Sequence, residues 1–157
     1  MNFRLSTYVL LFPAILVTVI ITSCHRPKGN TDLKSAMQTY DRLILKTDAD
    51  SIAMLYTADG DLGNAVHGRD SIRNFLNRFK DYKVIEQVSK IDSITITGDT
   101  GRISGTFHQR TIIPIHDTLN TAHVQDTISV NGTFHSVWIN IPEYGWEIRK
   151  FETNTGQ

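Results

Sequence analysis

Two aspartates and a histidine lie close together near the middle of the chain and could do acid–base chemistry. Asp59 and Asp61 flank Gly60, and His67 follows shortly after. A carboxylate can accept a proton as a general base, and histidine is the side chain that titrates nearest neutral pH. Asp59 and His67 are therefore the candidate catalytic residues. In the alternative interpretation, which the residue types favour, Asp59 and Asp61 are turn residues that accept hydrogen bonds from backbone amides.

A second pair of histidines stands in a repeated sequence, Gly105-Thr106-Phe107-His108 and Gly132-Thr133-Phe134-His135. Side chains alternate along a strand, so Phe107 and Phe134 share the apolar face and both histidines lie on the opposite face. The histidines could chelate a metal only if the strand register placed them opposite each other, and no carboxylate of suitable spacing is evident. We therefore predict no metal site and expect a solvated pair or a contact with a second subunit.

The only cysteine, Cys24, ends an apolar segment close to the N-terminus. Arg4 gives the segment a positive start, and the residues from Leu5 to Thr22 are almost wholly apolar. Small residues then precede the cysteine. This order resembles a bacterial lipoprotein signal peptide, which has a charged start, an apolar middle and a cleavage site of small residues. The resemblance implies that residues 1–23 are a signal peptide and that Cys24 is lipidated.

The lipoprotein prediction also gives the protein a location. Several acyl chains, palmitate among them, would hold Cys24 durably in a membrane, and residues 24–30 would form the tether. The tether carries no acidic residue. Because some bacteria use acidic tethers for surface export, we expect a periplasm-facing anchor in the cell membrane or outer membrane. The alternative is an uncleaved transmembrane helix, since about 18 apolar residues can just span a bilayer; Pro13 disfavours it.

The composition is that of one neutral domain. The chain has 16 basic and 16 acidic residues, and removal of residues 1–23 leaves enough length for one hydrophobic core. Basic residues do not cluster, which excludes a nucleic-acid-binding surface because phosphate binding needs grouped Lys or Arg. Lipidation of Cys24 would leave no thiol for a disulfide or for a thiolate metal site. No feature indicates a cofactor.

Helical patterns come first along the chain, and strand patterns follow. Apolar residues at three- and four-residue steps predict a helix from Thr31 through Lys46, one after Asp48 that ends at Asp59-Gly60, and one from about Arg69 to Asp81. A short extended piece covers 62–66. Alternation of apolar and polar residues predicts the strands 84–97, 102–115, 124–141 and 146–153. We therefore predict an α+β domain over 31–157, a cone-shaped curved antiparallel sheet with three N-terminal helices packed on its concave face.

Two stretches of the chain resemble the nuclear transport factor 2-like superfamily, and more narrowly its SnoaL-like and ketosteroid-isomerase-like branch. The first combines Leu55-Tyr56-Thr57-Ala58-Asp59-Gly60-Asp61-Leu62 with His67-Gly68-Arg69-Asp70-Ser71-Ile72-Arg73-Asn74-Phe75-Leu76, and the second is Gly145-Trp146-Glu147-Ile148. The resemblance implies a cone-shaped fold whose wide end is a pocket. It implies little about activity, because one fold supports many functions.

The steroid isomerases of this branch give the sharpest enzymatic comparison. By ungapped matching, their oxyanion-binding tyrosine falls on Tyr40 and their general-base aspartate falls on Asn64. An amide cannot accept a proton at working pH, so the resemblance does not extend to their mechanism. Tyr40 could still donate a hydrogen bond to a ligand oxygen, or it could be a core tyrosine whose hydroxyl reaches water.

Three functions of different classes are compatible with this sequence. The main prediction is the binding of a small, largely apolar molecule in the cone pocket. Its predicted ligand-binding residues are Tyr40, Tyr56, Asn64, Phe107, Phe134 and Trp138. The second is an isomerase, dehydratase or cyclase that uses Asp59 or His67. The third is an interaction module that forms a homodimer through the sheet face carrying His108, Arg110 and His135.

Overall fold

The computed structural model describes residues 29–64, 66–115 and 124–156. The predicted signal peptide and Cys24 lie outside these residues, so lipidation and membrane anchoring stay predictions. Within the described ranges, no helix has the length and the apolar character needed to cross a membrane.

Three helices precede most of the sheet, as predicted. They are α1 (Asn30–Lys46), α2 (Ala49–Met54) and α3 (Arg69–Leu76), and a 3-10 turn (Asn77–Phe79) follows the last. α1 is amphipathic, and it buries Leu33, Met37 and Tyr40 against the sheet. The Asp48 side chain caps α2 by accepting a hydrogen bond of 3.0 Å from the backbone amide of Ser51.

Six strands form one sheet. They are β1 (Tyr56–Leu62), β2 (Val66–His67), β3 (Lys83–Thr97), β4 (Thr100–Ile115), β5 (Val124–Ile141) and β6 (Gly145–Thr155). Their spatial order is β2-β1-β6-β5-β4-β3, and every neighbouring pair is antiparallel except β1 with β6, which is parallel. The predicted α+β class and the curved sheet are confirmed.

The second predicted helix was extended too far. Tyr56 to Gly60 form strand β1 rather than the end of a helix. The Ile148 backbone amide donates to the Leu55 carbonyl at 2.7 Å, and β1 then pairs with β6. Pairing with a distant strand therefore outweighs the local helical pattern. The predicted extended piece at 62–66 is interrupted by a turn in which Asn64 has φ 55°, and this turn makes β1 and β2 a hairpin.

The sheet curves around its concave face, which carries the core. β-bulges interrupt the β3–β4 and β5–β6 ladders and increase the local twist. On β5, Phe134, Ser136 and Trp138 point inward and are buried, as strand alternation predicts. The Trp138 indole donates to the Ser136 hydroxyl at 2.9 Å, so the largest core side chain keeps a hydrogen bond.

α1 runs along the cone from its turn end to its open end. We call the part of the sheet with the β3–β4 and β5–β6 connections the turn end. The two connections are joined there by a hydrogen bond of 2.7 Å from the Asn140 amide to the Asp99 carbonyl. Near the start of α1, Leu33 packs over Gly101, close to this end. Near the last turn of α1, Ile44 reaches the open end beside the starts of α2 and β3. The 17 residues of α1 separate the two ends by about 25 Å.

Candidate functional site

A cavity of about 330 Å³ lies at the open end of the cone. Small-molecule sites are typically about 300 to 1,000 Å³ and mostly apolar. The helices close one side of the cavity, and strands β3 to β5 form its floor. Its lining residues are Ile44, Thr47, Ala49, Ile52, Phe75, Leu76, Phe79, Tyr82, Val84, Gln109, Thr111 and Ile128.

Three aromatic rings form a row along one wall of this cavity. Phe75 and Phe79 meet edge to face with ring centroids 5.3 Å apart, and Phe79 and Tyr82 do the same at 5.3 Å. This geometry is the favourable arrangement of aromatic quadrupoles. Phe79 is 37% exposed and Ile128 across the opening is 40% exposed. The row therefore offers a preformed apolar surface that the protein itself leaves partly uncovered.

The floor of the cavity carries a polar pair on β4. The Gln109 side-chain amide donates to the Thr111 hydroxyl at 2.9 Å. Thr111 is only 5% exposed. Within the described residues, the hydroxyl hydrogen of Thr111 and the carbonyl oxygen of the Gln109 side chain have no other protein partner. The floor of a largely apolar cavity thus offers the Thr111 hydroxyl as a donor and the Gln109 carbonyl oxygen as an acceptor, and the Thr47 and Tyr82 hydroxyls are further polar groups of the lining.

The rim of the cavity includes a residue with an unfavourable backbone conformation. Thr47 ends α1 with φ 53° and ψ 32°, in the left-handed region. Glycine or asparagine usually occupies this position, because a β-branched side chain is strained there. Strained residues that persist in a fold are concentrated at functional sites. The position of Thr47 beside the cavity agrees with that tendency.

Four of the predicted ligand-binding residues lie in the closed core of the cone and not in the lining of the cavity. Tyr40, Tyr56, Phe134 and Trp138 are buried, and none of them lines the cavity. Tyr40 stacks on Phe151 with centroids 4.6 Å apart, and Phe151 stacks in turn on Phe134 at 5.7 Å. These side chains belong to the closed core, and Trp138 lies toward the turn end, where it pairs with Gly101. Their contact with a ligand stays a prediction.

The two core tyrosines influence each other. Burial raises the pKa of Tyr40, and the neighbouring Tyr56 hydroxyl partly opposes that rise. Burial also raises the pKa of Tyr56 well above its ordinary value. The Tyr56 hydroxyl is nevertheless buried without a hydrogen bond of acceptable geometry in the described structure. Both phenols are therefore neutral across the physiological range.

The other predicted site residues lie elsewhere in the fold. Phe107 is half-buried on the concave face, where it packs against the core, and Asn64 is exposed in the β1–β2 turn. Asp59 and His67 are exposed on β1 and β2, and neither lines the cavity. The structure therefore does not bring the candidate catalytic pair together with the cavity.

Both candidate catalytic residues already have protein partners. Asp59 accepts from the Thr57 hydroxyl at 3.0 Å and pairs with the Arg149 guanidinium at 3.2 Å. These contacts lower the pKa of the Asp59 carboxyl, with the Thr57 hydrogen bond as the larger cause. His67 Nδ1 lies 2.6 Å from Asp61 Oδ1. The contacts with Thr57 and Arg149 favour the charged form of Asp59, and its pairing with Arg149 links β1 to β6.

The structure reveals a half-buried carboxylate that was not predicted. Asp41 on α1 faces β3, where it accepts from the Ser89 hydroxyl at 2.8 Å and from the Gln87 amide at 3.1 Å. Burial raises the pKa of Asp41, and these hydrogen bonds offset part of the rise. Asp41 directly follows the buried Tyr40 on the amphipathic helix α1, and this position could have indicated that its side chain faces the sheet. The pairing with β3 could not be foreseen.

A second recess, of about 410 Å³, lies beside the start of α3. Two of its lining residues are arginines, but both are engaged by the protein. Arg69 donates to the Tyr56 carbonyl at 2.8 Å and to Glu147 at 3.2 Å. Arg73 pairs with Asp50 at 2.9 Å and with Asp70 at 2.6 Å. These arginines join α3 to its neighbours.

The convex face of the sheet carries the histidines of the repeated sequence. The register pairs His108 with Asn131 and pairs His135 with Ser104, so the two histidines do not lie opposite each other. His108 Nδ1 lies 2.7 Å from Asn131 Oδ1, and Arg110 lies 3.5 Å from Glu86. In the ranges 29–64, 66–115 and 124–156, no three His, Cys, Asp or Glu side chains converge on a possible metal position.

Comparison with known proteins gives structural matches but no sequence match. No protein-family model and no curated protein sequence matches the chain. A nuclear transport factor 2-like superfamily protein from Salmonella enterica has a TM-score of 0.61 at 17% identity, over 81% of this chain and 90% of that chain. This chain has the nuclear transport factor 2-like fold. The prediction made from the sequence is therefore confirmed for the domain.

Two further structures with this fold are similar to the chain. A ketosteroid isomerase-like protein from Erwinia carotovora atroseptica has a TM-score of 0.63 at 12% identity, over 81% of this chain and 95% of that chain. A conserved protein from Planctomyces limnophilus has a TM-score of 0.62 at 13% identity, over 80% of this chain and 96% of that chain. Identities this low establish the nuclear transport factor 2-like fold and leave the activity open.

Proposed function

We propose that this nuclear transport factor 2-like domain binds a small, largely apolar molecule in the cavity at its open end. The observation that carries the proposal is the lining of that cavity. Nine of its twelve residues are aliphatic or aromatic, and the other three are Thr47, Gln109 and Thr111. Filling this space would cover the exposed surface of Phe79 and Ile128, and burial of apolar surface stabilises a complex by about 25 cal/mol per Å².

The chemistry of the lining favours binding over catalysis. None of the residues that line the cavity is Asp, Glu, His, Lys, Arg or Cys. General acid–base catalysis needs a titrating group within hydrogen-bond reach of the substrate, and the Tyr82 phenol is the one such group in the lining. Asp59 and His67 do not meet this requirement, because they lie on the exposed strands β1 and β2. An isomerase, dehydratase or cyclase activity therefore has less support than ligand binding.

The interaction-module alternative has less support as well. The convex face carries polar and charged side chains that already pair with each other, such as Glu86 with Arg110. Exposed ion pairs contribute little to association or stability. A homodimer through His108, Arg110 and His135 would have to bury these groups. It remains an alternative that the oligomeric state in solution would decide.

The proposed binding site can be tested by filling it. The full chain in lipid nanodiscs is titrated with N-phenyl-1-naphthylamine, a neutral dye whose emission rises in apolar surroundings, and the signal of empty nanodiscs is subtracted. We expect saturable binding that Ala49→Trp abolishes, because Ala49 lines the cavity. Ala58→Trp places the same side chain on the exposed face of β1 and serves as the matched control. Equal binding by both variants would contradict the proposal.

We further propose that the domain is a lipoprotein held on the periplasmic face of a membrane through Cys24. The support is the order of charged, apolar and small residues before the only cysteine. Mass spectrometry of the N-terminal peptide is expected to show acyl chains on Cys24 and no residues before it. The Cys24→Ser variant should lose the acyl mass. An intact, unacylated N-terminus would favour the transmembrane alternative.

A further inference from the structure

We infer that Gln109 and Thr111 select an uncharged ligand that carries a hydrogen-bonding oxygen function, such as a ketone, ester or alcohol. This inference rests on the proposed binding of an apolar molecule in the same cavity. The two side chains are the polar groups of the cavity floor, and their mutual hydrogen bond of 2.9 Å fixes their orientation. A ligand oxygen that reaches the floor therefore meets groups that are already in place.

The direction of the Gln109–Thr111 hydrogen bond determines what the pair can recognise. Gln109 is the donor and the Thr111 oxygen is the acceptor, so the hydroxyl hydrogen of Thr111 can point into the cavity. It can donate to a carbonyl or ether oxygen. The Gln109 side-chain oxygen can accept from a ligand hydroxyl. The floor is thus complementary to an oxygen function on a hydrocarbon body.

The absence of charge in the lining makes the pair selective for neutral ligands. Thr111 is 5% exposed, so a carboxylate that reached it would be removed from water. No lysine, arginine or histidine lines the cavity to compensate that charge. The Arg78 guanidinium lies over the Phe75 ring, 4.8 Å from its centre, and is not one of the lining residues. Burial of an unpaired charge is strongly unfavourable, whereas a buried carbonyl is tolerated when it is hydrogen-bonded.

Benzophenone is a suitable probe, because it combines two apolar rings with one carbonyl and forms covalent adducts under ultraviolet light. The full chain in lipid nanodiscs is irradiated at increasing probe concentrations, and adducts on the cavity-lining peptides are measured by mass spectrometry. Diphenylmethane, which lacks the oxygen, and diphenylacetate, which is ionised at pH 8, serve as competitors. The same nanodiscs are used throughout, so partitioning into lipid is equal for every variant.

We expect Thr111→Val to raise the half-saturating concentration of benzophenone about three- to tenfold, which corresponds to the loss of one ordinary hydrogen bond. Thr111→Ser keeps the hydroxyl and should restore wild-type labelling. Diphenylmethane should compete equally well in the wild type and in Thr111→Val. Diphenylacetate should compete at least about tenfold less well than diphenylmethane. Thr106→Val, on the exposed face of the same strand, is the matched control and should change nothing.

Two results would overturn the inference while leaving the binding site in place. One is equal benzophenone labelling of the wild type and Thr111→Val. The other is competition by diphenylacetate as strong as that by diphenylmethane, which would mean that a charged group stays at the mouth of the cavity. Labelling that does not saturate, or that persists in Ala49→Trp, would instead overturn the proposed function itself.

Discussion

Thr47 shows how one residue can connect stability with binding. Its left-handed backbone conformation is unfavourable for a β-branched side chain, and its side chain lines the cavity. A residue selected for stability alone would be glycine or asparagine at this position. The choice of threonine is explained if the methyl and hydroxyl groups contact the ligand.

Thr47→Gly should therefore stabilise the fold and weaken binding. We expect the free energy of unfolding to rise by about 1 kcal/mol, because glycine adopts this conformation without strain. Affinity for the naphthylamine dye should fall about threefold through loss of one buried methyl group. Thermal unfolding and dye titration measure the two effects. Asn64→Gly is the control, since Asn64 has φ 55° but lies away from the cavity; a loss of affinity there would contradict this interpretation.

Asp41 should make part of the stability depend on pH. Burial raises its pKa above the ordinary value of 3.8, so the folded state binds this proton more tightly than the unfolded state. Its contribution is then largest below pH 3.8 and is lost as pH rises through the raised pKa. The stability of the wild type relative to Asp41→Asn should therefore decrease with rising pH over that range. Thermal unfolding at several pH values measures the difference.

Asp48 provides the opposite control for this pH dependence. Its pKa is lowered by hydrogen bonds from the Ser51 hydroxyl and amide at the start of α2. Its contribution is present above pH 3.8 and is lost as pH falls through the lowered pKa. The stability of the wild type relative to Asp48→Asn should thus increase with rising pH. If the stability of the wild type relative to each variant changed with pH in the same direction, the assignment of Asp41 as a carboxylate whose charged form is destabilised would be refuted.

At the scale of elements, the repeated Gly-Thr-Phe-His sequence is a packing device between β4 and β5. The register pairs Gly105 with Phe134 and pairs Gly132 with Phe107. A Cβ on Gly105 would lie 2.9 Å from the Phe134 ring and would collide with the Lys90 carbonyl. Each glycine thus leaves room for the phenylalanine of the other strand. The repeat is explained by this reciprocal packing and needs no shared histidine site.

Gly105→Ala should therefore destabilise the fold. We expect the free energy of unfolding to fall by about 1 to 3 kcal/mol, because the added methyl group must displace an aromatic ring and backbone. Urea unfolding measures the loss. Gly156→Ala makes the same chemical change where nothing lies within 4 Å and should be neutral. Equal stability of the two variants would show that the sheet absorbs the methyl group.

The elements that depend on local pattern were predictable, and those that depend on distant partners were not. The strand 124–141 is as predicted, since its alternation is uninterrupted. Tyr56 was misplaced because only pairing with β6 makes it a strand residue. Arg69, whose helical turn suggests a solvated side chain, instead donates to the Tyr56 carbonyl. Such contacts between segments far apart in sequence have no local signal.

The cavity agrees with the expected pocket at the wide end of the cone, but its lining residues are not the predicted ligand-binding residues. The spacing of Ile52, Phe75 and Phe79 predicts apolar helix positions that face the core. Periodicity alone does not distinguish a buried contact from a cavity wall. Strand parity places Gln109 and Thr111 on the concave face. It does not show how far the core fills the cone, which decides which residues remain uncovered.

At the scale of the whole molecule, the start of α1 and the cavity lie at opposite ends. α1 begins at the turn end, and the five steps from Cys24 to Gly29 extend at most about 17 Å. The cavity lies about 25 Å farther along α1. Tyr144, 74% exposed in the β5–β6 turn, lies at the turn end. An exposed tyrosine suits a membrane–water interface. A lipid anchor on Cys24 would therefore direct the cavity away from the bilayer.

This orientation predicts different depths for labels at the two ends. With Cys24 acylated, Tyr144→Cys and Leu45→Cys each introduce the only free thiol for a fluorescent label. In vesicles whose lipids carry a nitroxide at the headgroup, the label at 144 should be quenched more strongly than the label at 45. Equal quenching, or stronger quenching at 45, would rule out the proposed orientation. Acylation of Cys24 is checked separately by mass.

The most direct measurement is mass spectrometry of the small molecules that remain with the full chain when it is purified from the cells that produce it. Ala49→Trp fills the cavity, and Ala58→Trp adds the same side chain outside it. We predict that one small neutral molecule accompanies the wild type and Ala58→Trp and is missing from Ala49→Trp. Identical extracts from all three proteins would contradict ligand binding in the cavity.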